Sequence, residues 1–156
     1  MHYEGGGFCM SLEDCYARSL TAFGSSLNYS YTMDLGGGYF SSDPSENPLM
    51  YNWNRVFMMY CDGTIYTGDS TVTVDYDGHP LYFRGHYNKE AYYSRLVSSF
   101  NLNAGTDFVI SGCSAGGIAT YYFLDRWRDI LPPGAKVRGL PDSGFFMDYE
   151  DTTPGK

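Results

Sequence analysis

A serine flanked by small residues stands where an apolar run meets a helical pattern. The segment 112–116, Gly-Cys-Ser-Ala-Gly, follows the apolar run 107–111 and precedes a helix predicted over 115–130. A serine nucleophile must project from a sharp turn between strand and helix, and glycines two positions before and after it relieve the crowding there. Amides at the start of the following helix can stabilise a negatively charged oxygen. The spacing therefore predicts a nucleophile elbow, with Ser114 attacking an acyl carbonyl; the alternative is a glycine-rich turn that only joins strand to helix.

A second glycine-rich segment lies near the start of the chain. The sequence Glu-Gly-Gly-Gly-Phe at 4–8 follows a short strand predicted at 2–4. Such a loop supplies part of the oxyanion hole in lipases and esterases, because glycines let the backbone approach the charged oxygen closely. We predict that the backbone N–H groups of Gly7, Phe8 and Ala115 are the donors. Taken alone, three glycines in a row are more often a flexible turn.

The sequence offers an acid for a catalytic triad but no base in the order that the fold requires. Asp142 follows a strand predicted at 136–140 and comes after the serine, which is the order found in α/β-hydrolases. Its role would be to orient and stabilise a histidine, although an aspartate in a turn is usually only a solvated turn residue. The three histidines, His2, His79 and His86, all precede Asp142. We interpret His79 and His86 as surface residues.

The four cysteines show no metal-binding or redox pattern, since none stands in a C-x-x-C pair. Cys9 and Cys15 either close a small disulfide loop, which would indicate an oxidising compartment, or are two buried thiols. Cys113 is a competing nucleophile, but it precedes the apex of the turn, which favours a packed or disulfide-bonded thiol. No metal ion or cofactor is required by the predicted chemistry.

The elements that position these residues alternate between strand and helix. Strands are predicted at 2–4, 55–61, 107–111 and 136–140, helices at 12–22, 88–100 and 115–130, a hairpin at 71–83, and a long loop at 24–48. Short apolar strands between helices are typical of a parallel sheet that is covered on both faces. The pattern predicts one α/β domain over residues 1–156, with a mostly parallel sheet flanked by helices.

Composition narrows the possible partners and locations. The net charge of −8 and the pI of about 4.6 disfavour nucleic acid as a partner. No apolar run approaches the roughly 20 residues of a membrane span. Because the first residues lack a basic start and an apolar stretch, we do not expect them to form a signal peptide. A glycosylation sequon at 28–30 is consistent with secretion. The 16 tyrosines either stack on sugar rings or pack in the core.

Taken together, these motifs resemble those of the pectin acetylesterase and Notum family, and the matching blocks run along nearly the whole chain. The blocks are EGGGFC at 4–9, NP at 47–48, YNWN at 51–54, YCDG at 60–63, GD at 68–69, FRG at 83–85, GCSAGG at 112–117 and DSGFF at 142–146. Phe8 stands where the family normally has tryptophan. The resemblance implies an α/β-hydrolase fold, a secreted carboxylic-ester hydrolase and a disulfide between Cys9 and Cys15.

The resemblance also implies the roles of individual residues and the class of substrate. Ser114 would be the nucleophile and Asp142 the acid, with oxyanion donors at Gly7, Phe8 and Ala115. Relatives in plants and bacteria remove acetyl esters from the cell-wall polysaccharide pectin, whereas the animal branch removes a fatty acyl ester from a signalling protein. We expect the first activity; the alternatives are the second, a non-catalytic module that binds carbohydrate or lipid, and a pseudogene product without function.

Two departures from the family pattern shape what we expect of this chain. Family members have further strands before the glycine-rich loop and a histidine well after the aspartate. We therefore expect a fragment or truncated product of a longer enzyme, with an incomplete hydrolase fold and little or no activity by itself. Cys61 and Cys113 would then pair with each other or with cysteines elsewhere in that enzyme.

Overall fold

The computed structural model describes residues 1–147. The strands are β1 (His2–Tyr3), β2 (Phe57–Met58), β3 (Val74–Tyr76), β4 (His79–Leu81), β5 (Asp107–Cys113) and β6 (Lys136–Asp142), and the helices are α1 (Leu12–Ser19), α2 (Gly85–Ser99) and α3 (Ala115–Ile130). Four strands form a parallel sheet in the order β2-β1-β5-β6, and β3 and β4 form a separate antiparallel hairpin. The predicted α/β class with a parallel sheet is confirmed. Residues 148–156, which the predicted domain includes, lie outside the described part of the chain.

The bounds of strand β2 and of helix α2 differ from the prediction, and in both places a residue distant in the sequence makes a close contact. The predicted strand 55–61 is reduced to β2, since the backbone N–H of Tyr60 donates to the Glu4 carboxylate at 2.6 Å instead of to a neighbouring strand. Helix α2 begins at Gly85, not at Asn88. A Cβ at Gly85 would lie 2.2 Å from an Asp62 carboxylate oxygen, so glycine lets the first residue of the helix pack closely against that side chain.

Helix α1 ends earlier than predicted. The N–H of Leu20 turns back to the carbonyl of Ala17, and the helix stops at Ser19 and not at residue 22. Its start agrees with the sequence, because the Ser11 side chain accepts a hydrogen bond from the N–H of Asp14 and so caps the first turn. The long loop at 24–48 is confirmed, with short 3₁₀ turns at Ser26–Asn28 and Gly38–Phe40.

An aromatic network fills the space between the sheet and the helices. The indole N–H of Trp127 in α3 donates to the Tyr3 hydroxyl at 3.0 Å, and that hydroxyl also bonds the hydroxyl of Tyr93 in α2. All three side chains are buried. Because each polar atom finds a partner, the network joins β1 to both helices without leaving an unpaired group in the core. Tyr60 and Tyr66 are also buried, so part of the high tyrosine content serves packing.

No helix within residues 1–147 is long and apolar enough to cross a membrane.

Candidate active site

Ser114 lies in the turn between β5 and α3, in a backbone conformation that non-glycine residues avoid. Its φ is 56° and its ψ is −118°. The N–H groups of Gly117 and Ile118 donate to its carbonyl oxygen at 2.8 and 3.2 Å, so the first turn of α3 closes on the serine. Backbone strain of this kind costs about 1–3 kcal/mol and persists where the surrounding structure enforces it, typically at functional sites.

The glycines on either side of the serine are required by close backbone contacts. A Cβ at Gly112 would lie 2.1 Å from the carbonyl oxygen of Gly116, and a Cβ at Gly116 would lie 2.1 Å from the carbonyl oxygen of Tyr3. Real Cβ atoms are not found at such distances from backbone oxygens. The turn can therefore bring α3 against β1 only with glycine at both positions, which is the spacing that the sequence predicted for an elbow.

The glycine-rich loop packs directly on this turn. A Cβ at Gly5 would lie 2.2 Å from the Cys113 carbonyl oxygen and 3.5 Å from the Ser114 Cβ. Ala115, the first residue of α3, is buried beside it, and the N–H of a first helical residue has no partner within its own helix. The start of the glycine-rich loop at Gly5 and the start of α3 at Ala115 therefore both lie next to the serine.

The residues of the glycine-rich loop lie in different surroundings. Gly5 makes the closest approach to the elbow, Gly7 lies beside the guanidinium of Arg18, and Phe8 is 41% exposed. The assignment of Gly7, Phe8 and Ala115 as oxyanion donors stays a prediction.

Asp142 is held beside the nucleophile by strand pairing. The β5–β6 ladder extends past the predicted ends to pair Cys113 with Asp142, and the N–H of Ser114 donates to the Asp142 carbonyl at 3.1 Å. The Asp142 carboxylate accepts a hydrogen bond from the Ser143 hydroxyl at 3.1 Å. The structure therefore brings the predicted acid to the strand position adjacent to the predicted nucleophile.

Tyr39 is a residue of this region that the sequence analysis missed. It lies in the 3₁₀ turn of the long loop, and burial, followed by the charges of Asp142 and Cys113, raises the pKa of its hydroxyl to about 12. The hydroxyl therefore stays protonated and available as a donor near the Asp142 carboxylate. No local sequence pattern marks Tyr39, because a long loop brings it to the site.

The three histidines lie in different environments. His2 is buried in β1, bonds the Ser111 hydroxyl at 3.0 Å and stacks on Phe57. His79 is exposed in the hairpin, as predicted, whereas His86 is partly buried in α2, 3.4 Å from the amine of Lys89. Within residues 1–147, no hydrogen bond joins a histidine to Ser114 or Asp142.

The buried His2 makes fold stability depend on pH. Burial, assisted by the nearby amino group of Met1, lowers the pKa of His2 from 6.5 to about 4. Between pH 6.5 and about pH 4, the His2 side chain is protonated in the unfolded chain but still neutral in the folded one. The contribution of neutral His2 to the free energy of unfolding is therefore complete above pH 6.5 and is lost as the pH falls from 6.5 to 4. We expect the urea midpoint of the wild type to fall over this interval relative to that of His2→Phe. A constant difference between the two proteins from pH 7 to 4 would contradict the assignment.

One disulfide joins the glycine-rich loop to α1. Cys9 and Cys15 are bonded, with their Cα atoms 5.0 Å apart, as the resemblance implied. Cys61 and Cys113 are free thiols and partly buried, so the structure does not contain the pairing between them that the sequence left open.

No group of three or more potential metal-ligating side chains occurs in the described part of the chain.

Two of the clefts on the surface of the described residues are well defined, and Ser114 lines neither of these two. The smaller, of about 250 Å³, lies between α1 and the hairpin and includes Arg18, Asp62 and Arg84. The larger, of about 1010 Å³, runs past Tyr39 and along the start of β5.

Comparisons with known proteins agree with this arrangement. The sequence model of the pectinacetylesterase family matches residues 1–156. Pectin acetylesterase 5 of Arabidopsis thaliana is 40% identical over 151 residues, which are 97% of this chain and 35% of that protein. The palmitoleoyl-protein carboxylesterase NOTUM of Mus musculus is 32% identical, over 93% of this chain and 29% of that protein.

A solved structure of the Wnt deacylase Notum from Drosophila superimposes with a TM-score of 0.80 at 30% identity, covering 99% of this chain and 45% of that one. The chain thus spans about a third of the length of the curated relatives it matches. The family description matches the chain from end to end, and the sheet, elbow and glycine-rich loop have the arrangement expected of an α/β-hydrolase. This chain belongs to the pectinacetylesterase family.

Proposed function

We propose that this chain carries the nucleophile, the acid and part of the oxyanion hole of a serine carboxylesterase that removes O-acetyl groups from a polysaccharide such as pectin. The observation that carries the proposal is the strained turn at Ser114, whose N–H donates to the carbonyl of Asp142, the strand partner of Cys113. A serine in this conformation between a parallel strand and a helix is costly to maintain, and nucleophilic attack is the function that uses it.

The reaction begins when the Ser114 oxygen bonds to the carbonyl carbon of an acetyl ester. The π electrons of the carbonyl move onto its oxygen, and backbone amides of Gly7, Phe8 and Ala115 donate to the resulting oxyanion. A histidine base takes the serine proton, and Asp142 orients and stabilises that histidine. Residues 1–147 offer no histidine bonded to either group, so the base is the one component without a candidate there.

The second half of the reaction releases the products. The tetrahedral intermediate collapses, the ester C–O bond breaks, and the sugar oxygen leaves with the proton from the histidine. Water then attacks the acetyl-serine by the same steps, giving acetate and regenerating the serine hydroxyl. No redox change or further reactant is needed.

The comparisons support an acetylated polysaccharide as the substrate. Four Arabidopsis pectin acetylesterases are 37–40% identical to this chain, whereas four animal NOTUM proteins are 31–33% identical. This difference favours an acetylated polysaccharide. The TM-score of 0.80 with the Wnt deacylase supports a second candidate, an esterase for a lipidated protein.

The Cys9–Cys15 disulfide supports an extracellular location for an esterase of either kind.

The test uses the complete gene product, its Ser114→Ala variant and a fluorophosphonate probe that bonds activated serines. We expect acetate release from acetylated pectin and labelling of the wild type at Ser114, both lost in the variant. Faster hydrolysis of a palmitoleoylated peptide than of acetyl esters would instead support the second candidate. A wild type that neither hydrolyses esters nor reacts with the probe would reject esterase function and favour a binding protein.

A further inference from the structure

Arg18 reaches from α1 to the glycine-rich loop. Its Nη1 atom donates to the carbonyl oxygen of Gly6 at 2.5 Å. Its guanidinium carbon lies 4.7 Å from the ring centre of Tyr60 and 5.0 Å from that of Phe23. Two aromatic contacts and one hydrogen bond therefore fix both the position and the plane of the guanidinium.

Gly63 contacts both Arg18 and the end of the glycine-rich loop. A Cβ at Gly63 would lie 2.8 Å from the Cys9 sulfur and 3.2 Å from the Arg18 Cδ, so Gly63 packs tightly on both. The N–H of Cys9 donates to the Gly63 carbonyl at 3.0 Å, and the disulfide to Cys15 holds that end of the loop one helical turn from Arg18. The loop and the arginine cannot move apart without breaking several of these contacts.

The bond to Gly6 also sets the direction of the next amide. In a trans peptide the C=O and N–H groups point in opposite directions. Because the Gly6 carbonyl points at Arg18, the N–H of Gly7 points away from Arg18. That N–H is one of the three proposed oxyanion donors, so Arg18 determines where this donor is aimed.

Without that bond, the peptide between Gly6 and Gly7 has little to hold its orientation. Gly6 has a φ of 107° and Gly7 a φ of 72°, and glycine populates positive and negative φ about equally well. A flip of this peptide would replace the Gly7 N–H by the Gly6 carbonyl, whose partial negative charge opposes an oxyanion.

We propose that Arg18 is a positioning residue that prevents this flip and keeps the Gly7 N–H aimed at the oxyanion. It does so without touching the substrate, and the inference rests on the proposed esterase function. The Nε and Nη2 atoms of Arg18 are buried without a hydrogen-bond partner within residues 1–147, so the bond to Gly6 is the polar contact that orients the group there. The full positive charge of the guanidinium strengthens that bond.

The kinetic test compares Arg18→Met and Arg18→Lys in the complete gene product, with p-nitrophenyl acetate as substrate. Loss of a whole oxyanion donor lowers kcat about 10²–10³-fold, and we expect a loss of about 10–100-fold for Arg18→Met because two donors remain. KM should stay within about twofold, because the oxyanion forms only after binding. Arg18→Lys should lie between, since it keeps the charge but not the planar stacking group.

Arg84→Met is the matched control. The guanidinium of Arg84 also lies over an aromatic ring, that of Tyr82 at 5.1 Å, and also donates to a backbone carbonyl, that of Thr71 at 3.3 Å. Neither contact involves the glycine-rich loop, so kcat should equal that of the wild type. An equal loss in both variants, or a wild-type kcat in Arg18→Met, would overturn the proposal.

Crystal structures of the wild type and Arg18→Met test the geometry independently of activity. We expect the Gly6–Gly7 peptide of the variant to be flipped or present in two orientations. An unmoved peptide would overturn the positioning role even if the variant were slow or less stable. If the wild type showed no esterase activity, the proposed function would fail, while the orientation of this peptide would still decide whether Arg18 holds it.

Discussion

Replacing Ser114 with glycine is expected to abolish ester hydrolysis and to stabilise the fold. The nucleophile is lost, which should lower kcat by about 10⁴-fold or more. At the same time, a φ of 56° with a ψ of −118° is readily adopted by glycine but strained for serine. Relief of about 1–3 kcal/mol of strain outweighs the roughly 0.4–1 kcal/mol lost because glycine makes the unfolded chain more flexible.

Ser114→Ala separates the two effects. Alanine removes the hydroxyl but keeps a Cβ, so this variant should be equally inactive yet gain none of the stability. Urea unfolding monitored by fluorescence gives the free energy of unfolding of all three proteins, and acetate release gives their activity. A Ser114→Gly variant less stable than Ser114→Ala would show that the turn is not strained in the way its dihedral angles indicate.

Gly116→Ala is expected to have the largest effect on stability. The added Cβ would lie 2.1 Å from the carbonyl oxygen of Tyr3 and 3.0 Å from that of Glu4, and both are backbone atoms that cannot rotate away. Helix α3 would have to move off the sheet, at a cost of about 3 kcal/mol or more. In a domain of this size that corresponds to a fall in Tm of about 6–12 °C.

The control for this prediction lies on the outer face of the same helix. Tyr122 is 62% exposed, so Tyr122→Ala should change the free energy of unfolding by no more than about 0.5 kcal/mol. Thermal unfolding followed by circular dichroism measures both variants. If Gly116→Ala unfolded at the wild-type temperature, the contact between the elbow and β1 would be looser than the backbone distances indicate.

The part of the site that sequence predicts is the part built by neighbours in the chain. Ser114 and its glycines are adjacent residues between a strand and a helix that both have strong local patterns, so the turn follows from a few consecutive residues. Asp142 could be placed near it because parallel strands present their carboxyl ends at one edge of a sheet. The Cys9–Cys15 disulfide closes a loop of only a few residues.

The remaining features depend on contacts between distant segments, which local patterns do not encode. Strand β2 stops where the Glu4 carboxylate binds the N–H of Tyr60, 56 positions away in the chain. Likewise, Gly85 at the start of α2 packs against the Asp62 carboxylate, and Arg18 contacts two aromatic rings and a backbone carbonyl in three other segments. The sequence shows that such residues are charged or polar, but only the fold shows which distant residues they contact.

The unbroken pairing of β5 with β6 has a consequence for how this protein can change in length. The strand that leads to the nucleophile and the strand that ends with the acid are adjacent, about 4.8 Å apart, and the register that pairs Cys113 with Asp142 fixes their relative height. Inserting one residue within 136–142 would shift the acid by about 3.3 Å and turn its side chain to the opposite face of the sheet. The turn at 131–135 lies before the ladder begins, so insertions there would move neither Ser114 nor Asp142. We therefore expect insertions and deletions to be tolerated in this turn but not in the strand that follows it.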